Sequence, residues 1–376
     1  MFFAFISFSL STIYFWEPFD SKDWEKHWVK GPKPKTGKPL GRFQISSGSY
    51  TVNRRLQRGL MAVDDDRQYI ISSKFNQPFN TSGKDLIFQF NVKSETKIEL
   101  GATKMKLFGE RFRQNTFSSK SSYEILFGPD FNDWDRYHLE TIIVRNRTEY
   151  VSTKPVLAFR DQLTHCYTLV IFANQTYQIR KDNFVDIENK LEDDFNYCNP
   201  AKIADPFDQK PEDWENHAEM DDPDDMPPDT YKDVPRFIPD MSVKKPADWD
   251  ERKNGKWVQP LIPNPEFVSE WKPRRIKNPA FRGDWKAREI DNPDYNPDPG
   301  FGKPQNLMYV GIDVTIDKAP TIWDNILVTD DLAEQEKKVE EFFFSFQDAE
   351  RAAYQKANVD KKVDSSKQRN KLPTEL

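Results

Sequence analysis

Residues 85–93, DLIFQFNVK, set Leu86, Phe88, Phe90 and Val92 against mostly polar neighbours, the period-two pattern of a half-buried strand. Similar short runs fall at Tyr69–Ser73, Tyr137–Val144 and Tyr167–Phe172. Thr176–Arg180 and Phe184–Ile187 flank Lys181-Asp182-Asn183, which reads as a hairpin turn. No long 3.6-period segment interrupts these runs between residues 12 and 203, so the expected class is all-β and the natural architecture a β-sandwich. Strand patterns return at Met308–Ile316 and Thr321–Val328. Their simplest partners are the earlier strands, so residues 12–203 and 300–350 form one discontinuous globular domain with an insertion between them. Beyond Thr329-Asp330, read as the N-cap, Leu332, Val339, Phe342, Phe343, Phe346 and Ala349 recur at helical spacing. That spacing predicts a C-terminal helix lying across the sandwich.

The insertion, residues 204–299, repeats itself. Ile262, Ile276 and Ile290 keep a 14-residue step, as do Phe267, Phe281 and Tyr295, and Trp257, Trp271 and Trp285. A different phrase precedes them: KPEDW at 210–214, KPADW at 245–249, and a degenerate copy, MPPDTY, at 226–231. Three units of one kind therefore precede three of another, with Asn254-Gly255 as the turn between them. A chain that runs out through one set and back through the other makes a long hairpin arm, stabilised by nearest-neighbour contacts rather than a core. Composition agrees, because 16 of the 27 prolines and five of the 10 tryptophans lie between residues 205 and 299. Proline lowers the entropy lost on ordering, and each tryptophan supplies a large apolar face.

Charge changes the picture little. A net charge of −6 over 376 residues argues for neither nucleic acid nor a membrane surface. The mean hydropathy of −0.82 shares the chain between a core and solvated sequence. Phe2–Leu10 is an apolar run followed by small residues, so residues 1–11 read as a signal peptide, with a buried N-terminal strand as the alternative. No run reaches the roughly 18 apolar residues of a spanning helix. Sequons at Asn80, Asn146 and Asn174 fit the secretory pathway. Residues 351–376 are basic and read as a disordered tail. Cys166 lies in an apolar run where a buried free thiol is the ordinary reading; a bridge to Cys198 is the alternative. No nucleophile motif is present and four histidines lack metal-ligand spacing, so the chain is not read as an enzyme. His165, within a strand, is read as structural.

The phrases FQISSGSY (43–50), KLFG (106–109), YEILFGPD (123–130), THCYTLVI (164–171), KPEDW and TIWDNILVTD (321–330), taken with the repeat, resemble the calreticulin and calnexin family of endoplasmic reticulum lectin chaperones. Three-plus-three units without a membrane span are the calreticulin-type pattern. The resemblance covers most of the chain and implies a legume-lectin-like sandwich, an arm of the P-domain type, and monomeric chaperones of unfolded or incompletely folded glycoproteins. It also implies recognition of a monoglucosylated high-mannose glycan. On that basis Lys106, Tyr123, Asp130 and Asp313 are the carbohydrate-binding residues. Lys104 and Thr315 are departures, standing where the family carries Tyr and Trp, and the second removes a stacking platform. The family's disulfide positions hold Leu100 and Asn132.

A calcium site is implied at Asp324, with carbonyl donors from Pro18 and Leu56–Arg58. The basic tail implies no bulk calcium store. The arm tip, with Lys253, Asn254, Gly255, Lys256 and Trp257, reverses the family's acidic tip, which recruits a protein disulfide isomerase-type co-chaperone. A partner with an acidic face and a solvated turn without a partner are both open. Pro373-Thr374-Glu375-Leu376 keeps the Glu-Leu ending of a retrieval signal, implying the endoplasmic reticulum lumen. Two functions remain: a glycan-directed chaperone, and a lectin-silent polypeptide-binding chaperone or scaffold.

Overall fold

The computed structural model describes residues 12–369 apart from 35–36, 97–99, 134–135, 228–233, 268–270 and 319, and leaves out the side chains of 132, 133, 136 and 360–369. The signal-peptide segment, most of MPPDTY and the Pro373–Leu376 ending fall outside these residues. The chain divides into two compact units, one up to Ala201 and again from Pro293, the other Lys202–Asn292.

The first unit is two stacked antiparallel sheets. One runs in the order Phe184–Lys190, Thr176–Lys181, Thr164–Ile171, Leu86–Ser94, Thr321–Thr329, Gly59–Ala62, Phe43–Ser46, with Ile13–Glu17 also paired to Thr321–Thr329. The other runs Thr148–Val151, Arg136–Arg145, Ile125–Asp133, Met105–Gly109, Leu307–Ile316, Arg67–Phe79, Trp28–Lys30. The core between them is aromatic, with Phe88, Phe90, Phe127, Tyr167 and Trp323 all buried. Both strands that follow the insertion sit inside a sheet rather than at its edge.

The Leu86–Ser94 strand is buried on both faces, not one: Gln89 and Asn91 are 1% exposed and Lys93 4%. The C-terminal helix covers its polar side. Gln335 Nε2 donates to Gln89 Oε1 at 2.6 Å, and Lys93 Nζ to Glu350 Oε1 at 2.6 Å, while Thr164 N donates to Glu350 at 3.1 Å. The cap of the Leu332–Val339 helix is Asp331, one residue beyond the expected place, accepting from Ala333 N at 2.9 Å. Asp330 instead accepts from Thr12 N and the Tyr14 hydroxyl. A π-turn at Glu340–Phe344 shifts the helical phase before the Ser345–Arg369 helix. Val339, Phe343 and Phe346 still pack on Cys166, but Glu350 rather than Ala349 faces the sheet. The helix also continues into the segment read as disordered, as far as Arg369; Ala352, Ala353, Gln355 and Ala357 are strong helix formers that outweigh the like charges. Cys166 and Cys198 are both free thiols, so no bridge joins them.

The second unit is a ladder of three two-stranded rungs. Ile203 pairs with Ile290, Met220 with Ile276 and Ile238 with Ile262, which puts the 14-residue isoleucine beat at the centre of each rung. A second 14-residue series, unnoticed in the sequence, clamps two of them. Arg288 N and Nη2 donate to Asp208 and Asp205 at 2.6 and 2.5 Å, and Arg274 repeats this with Asp225 and Asp222 at the same distances. At the third rung the equivalent position is Pro260, whose carbonyl accepts from Asp240 N as those of Arg288 and Arg274 do from Asp205 and Asp222. The distal rung therefore lacks a guanidinium clamp. Trp214 Nε1, from the KPEDW phrase, donates to the Gly283 carbonyl at 2.8 Å, fastening the two runs. The unit ends at Asn292, short of the expected 299. Tyr295 donates to Glu192, and Asp298 accepts from Arg145 at 2.6 Å, so residues 293–299 are held by the sandwich.

His165 is buried in its strand, with its ring nitrogens 2.8 Å from Asp161 and 2.9 Å from Asp182 and its ring stacked on Phe159. Burial alone would depress its pKa, but the two carboxylates outweigh burial and raise it to about 9. The folded pKa lies above the unfolded value of about 6.5. Protonation therefore contributes full stability below pH ~6.5, of order 3 kcal/mol, and loses it as pH rises through 9. His165→Asn is expected to flatten the fall in urea-unfolding free energy between those limits, and an unchanged slope would refute the assignment. In the ladder, Arg274→Ala combined with Arg288→Ala is expected to speed amide hydrogen exchange at Ile203, Met220, Ile276 and Ile290. Exchange at Ile238 and Ile262 should stay as it was; equal acceleration at all three rungs would count against the clamp.

Candidate functional site: one charged sheet face and a buried carboxylate

Side chains of the seven-stranded sheet alternate between the core and the opposite face. Lys106 lies opposite Gly311 and Leu126, which puts Lys104, Lys106, Asp130, Asp313 and Thr315 on the non-core face. Two glycines permit this. A Cβ on Gly311 would lie 2.9 Å from the Phe117 ring, and one on Gly128 would lie 2.8 Å from Lys104 Cα and from Phe90. Gly128 also has φ of 133°, a conformation side chains avoid. A satellite apolar cluster of Ile70, Phe108, Phe112 and Phe117, with Tyr123 against it, floors one end of the face.

The candidate residues fall into two ion pairs. Lys106 Nζ donates to Asp313 Oδ2 at 2.7 Å, with both side chains below 10% exposed, and Gln68 Nε2 donates to the other Asp313 oxygen at 3.1 Å. The Lys106 ammonium lies 5.0 Å from the centre of the Tyr123 ring, a cation–π contact. The Tyr123 hydroxyl donates to Glu149 at 2.7 Å, and burial together with that carboxylate pushes its pKa upward. Lys104 makes the second pair. Its ammonium donates to Asp130 at 2.5 Å and also to Glu140. Burial works against the charge on Lys104, but the two carboxylates prevail and its pKa is raised. Thr315 is exposed. Lys106, Tyr123 and Asp313 thus form one connected group, while Asp130 belongs to the group of Lys104. Glu140, Glu149 and Gln68 were missed from the sequence; Glu140 could have been found from the alternation of the 137–144 strand. A cavity of about 460 Å³ adjoins Tyr123 and Glu149 and is also lined by Lys120, Asn146 and Arg147.

On the opposite sheet Asp324 is buried, 5% exposed. It accepts from Asn325 N at 2.7 Å and Asn325 Nδ2 at 3.0 Å. Burial, then nearby Glu17 and Asp20, raise its pKa well above the carboxylate range, against the Asn325 amide and Arg58. A Cβ on Gly59 would stand 2.4 Å from the Trp323 carbonyl and 2.9 Å from Asp324 Cβ, so the 58–60 backbone runs directly against this carboxylate. A cavity of about 380 Å³ lies between Pro18, Asp20, Asn53, Leu56 and Glu341. Among the described residues no three His, Cys, Asp or Glu side chains cluster for a metal. A cation at Asp324 would therefore draw on backbone carbonyls, and a buried carboxylate beside close backbone fits a hard one. Arg58 takes the Phe19 carbonyl at 2.9 Å and also that of Asp20, which leaves Pro18 and Leu56–Arg58 as the carbonyl donors to consider.

The ladder's tip is a single helical turn, Glu251–Asn254, capped by Asp250 and closed by Gly255 at φ 73°. Trp249 Nε1 donates to the Gly255 carbonyl at 3.0 Å, and its ring meets Trp257 edge-on at 4.8 Å. Arg252, Lys253, Asn254 and Lys256 are exposed around this pair. Asn80, Asn146 and Asn174 are likewise exposed.

A family model described as the calreticulin family matches residues 15–254 and 251–328. The chain belongs to the calreticulin family. Similar relatives include calreticulin of Dictyostelium discoideum, 34% identical over 93% of this chain and 81% of that protein. Calreticulin of Drosophila melanogaster is 35% identical over 88% of this chain and 80% of that protein. Among solved structures, the T. cruzi calreticulin globular domain superposes with a TM-score of 0.64 at 24% identity, covering 92% of this chain and 99% of that domain. Calreticulins are lectin-type chaperones rather than enzymes, and the two-sheet sandwich with an inserted arm and a C-terminal helix is the legume-lectin-like fold expected from the sequence. No helix among the described residues is long and apolar enough to cross a membrane.

Proposed function

We propose that this calreticulin-family chain is a chaperone of the endoplasmic reticulum lumen that binds unfolded or incompletely folded glycoproteins, with weakened glycan binding. The observation carrying this reading is the Lys104 ammonium, which engages Asp130 and Glu140 on the face that holds Lys106, Tyr123 and Asp313. A glycan hydroxyl must compete with that ammonium for Asp130, and charge-assisted bonds are about twice as strong as neutral ones. Each neutral sugar hydrogen bond returns only about 0.5–1.5 kcal/mol net. Exposed Thr315 offers no aromatic face to compensate. A second reading, a lectin-silent polypeptide-binding chaperone, is favoured by the same lysine insofar as its two carboxylates hold it in place. The exposed sequons support the secretory pathway. Asp324 supports a structural calcium ion that would bind the Gly59–Ala62 segment to the Thr321–Thr329 strand through oxygen ligands, while the basic tail supports no bulk calcium store. At the arm tip, exposed Lys253 and Lys256 around Trp257 support a co-chaperone with an acidic face in place of the basic disulfide isomerase-type partner.

Calorimetric titration with a monoglucosylated high-mannose oligosaccharide in calcium tests the glycan reading. Weak, near-millimolar binding is expected, improving at least tenfold in Lys104→Tyr. Micromolar affinity in the unaltered protein would overturn the weakening; no heat from either protein would establish the lectin-silent reading. For the tip, Lys253→Glu with Lys256→Glu is expected to gain binding to a basic isomerase-type face in surface plasmon resonance, strongest at low salt. Absence of that gain would mean that tip charge does not select the partner.

A further inference from the structure

The outer face of the eight-stranded sheet holds one side chain that the fold leaves wholly unsatisfied. Asn91 is 1% exposed, yet neither its Oδ1 nor its Nδ2 has a hydrogen-bond partner. Its strand neighbours Phe90 and Val92 point into the core, so Asn91 points the other way, beneath the helix. There it lies opposite Asp324 on one side and Cys166 on the other. The roof over Cys166 is Val339, Phe343 and Phe346, which offer an amide nothing. Asn325 is a second unsatisfied group in this patch: its Oδ1 is buried without a partner, while its Nδ2 donates to Asp324 and, at 3.3 Å, to the Phe342 carbonyl in the π-turn. Two positions either way along the same strand, Gln89 and Lys93 each have a partner from the helix, in Gln335 and Glu350, although Gln335 Oε1 is itself buried without one. Of these three outward-facing positions on the strand, Asn91 alone has no side-chain partner at all.

A buried polar group without partners calls for an explanation, and a bound water or ion is one. An amide oxygen and a carboxylate facing each other across adjacent strands are hard donors, within reach of one cation. We infer that Asn91 supplies a side-chain oxygen ligand to a divalent cation held by Asp324. This inference rests on the calcium reading of Asp324 given above. Asn325 is a positioning residue, holding the carboxylate through both of its oxygens. A cation of calcium's size takes six to eight ligands, so a water of its own shell accepts from Asn91 Nδ2. Asn91 thereby closes the site from the strand side, with Pro18 and Leu56–Arg58 on the other.

Terbium luminescence sensitised by tryptophan, displaced by calcium, reads the affinity in the full-length chain, with Trp323 next to the carboxylate as donor. Thermal unfolding in chelator reads the metal-free fold. Asn91→Leu removes the orphan amide, so its metal-free Tm is expected to rise or hold while calcium binding weakens about tenfold or more. Asn91→Asp is expected to do the reverse, lowering the metal-free Tm and tightening calcium binding by a similar factor. An Asn91 that merely holds a buried water would shift the metal-free Tm and leave calcium affinity unchanged in both variants, which overturns the inference alone. No saturable displacement by millimolar calcium in the unaltered protein overturns the calcium reading and this inference together.

Discussion

Both sheets of the sandwich are completed only after the chain has left for about 90 residues and come back. Leu307–Ile316 lies between Met105–Gly109 and Arg67–Phe79, and Thr321–Thr329 between Leu86–Ser94 and Gly59–Ala62. Neither sheet is continuous without them. The ladder makes this affordable in entropy. Its first rung sets Ile203 opposite Ile290, about 5 Å apart across the strands, so the sandwich meets the insertion as a short connection. Loop-closure cost then grows within the ladder, one short hairpin step at a time, rather than across the whole insertion.

The returning strands also place the chemistry. Leu307–Ile316 brings Asp313 beside Lys106, more than 200 residues earlier in the chain. Thr321–Thr329 points Trp323 into the core, its Nε1 donating to the Thr103 carbonyl at 2.8 Å, and turns Asp324 to the opposite side. The aromatic anchor and the buried carboxylate are neighbours with opposite duties, and the alternation of a strand separates them. The ion pairs on the charged face have a cost as well. Desolvated charges are retained only where partners are close, and here each acidic candidate already has one. A ligand for this face must therefore replace an internal lysine contact, which is a stiffer requirement than filling an empty cleft.

Strands and beats were readable because they are periodic: the alternation of Leu86, Phe88, Phe90 and Val92, and the 14-residue returns of Ile262, Ile276 and Ile290. The arm's Arg274 and Arg288 obey the same step, but charged residues do not draw attention when the aromatic positions carry the pattern. The departures Lys104 and Thr315 were legible as substitutions, whereas the capture of Asp130 and Glu140 by Lys104 was not. That contact joins residues 26 and 36 positions apart, and nothing local predicts it.

Sequence by itself determined the class of fold, the out-and-back repeat and the helix that follows the last strand. Those follow from periodicity and local backbone preference, which act over a few residues. Tertiary structure alone decided that Gln89, Asn91 and Lys93 are covered, that a π-turn puts Glu350 rather than Ala349 on the sheet, that Asp130 is spoken for, and that Asn91 is buried opposite Asp324 without a hydrogen-bond partner. Each of these depends on desolvation, and desolvation is set by what packs on top. That is a property of elements brought together from opposite ends of the chain.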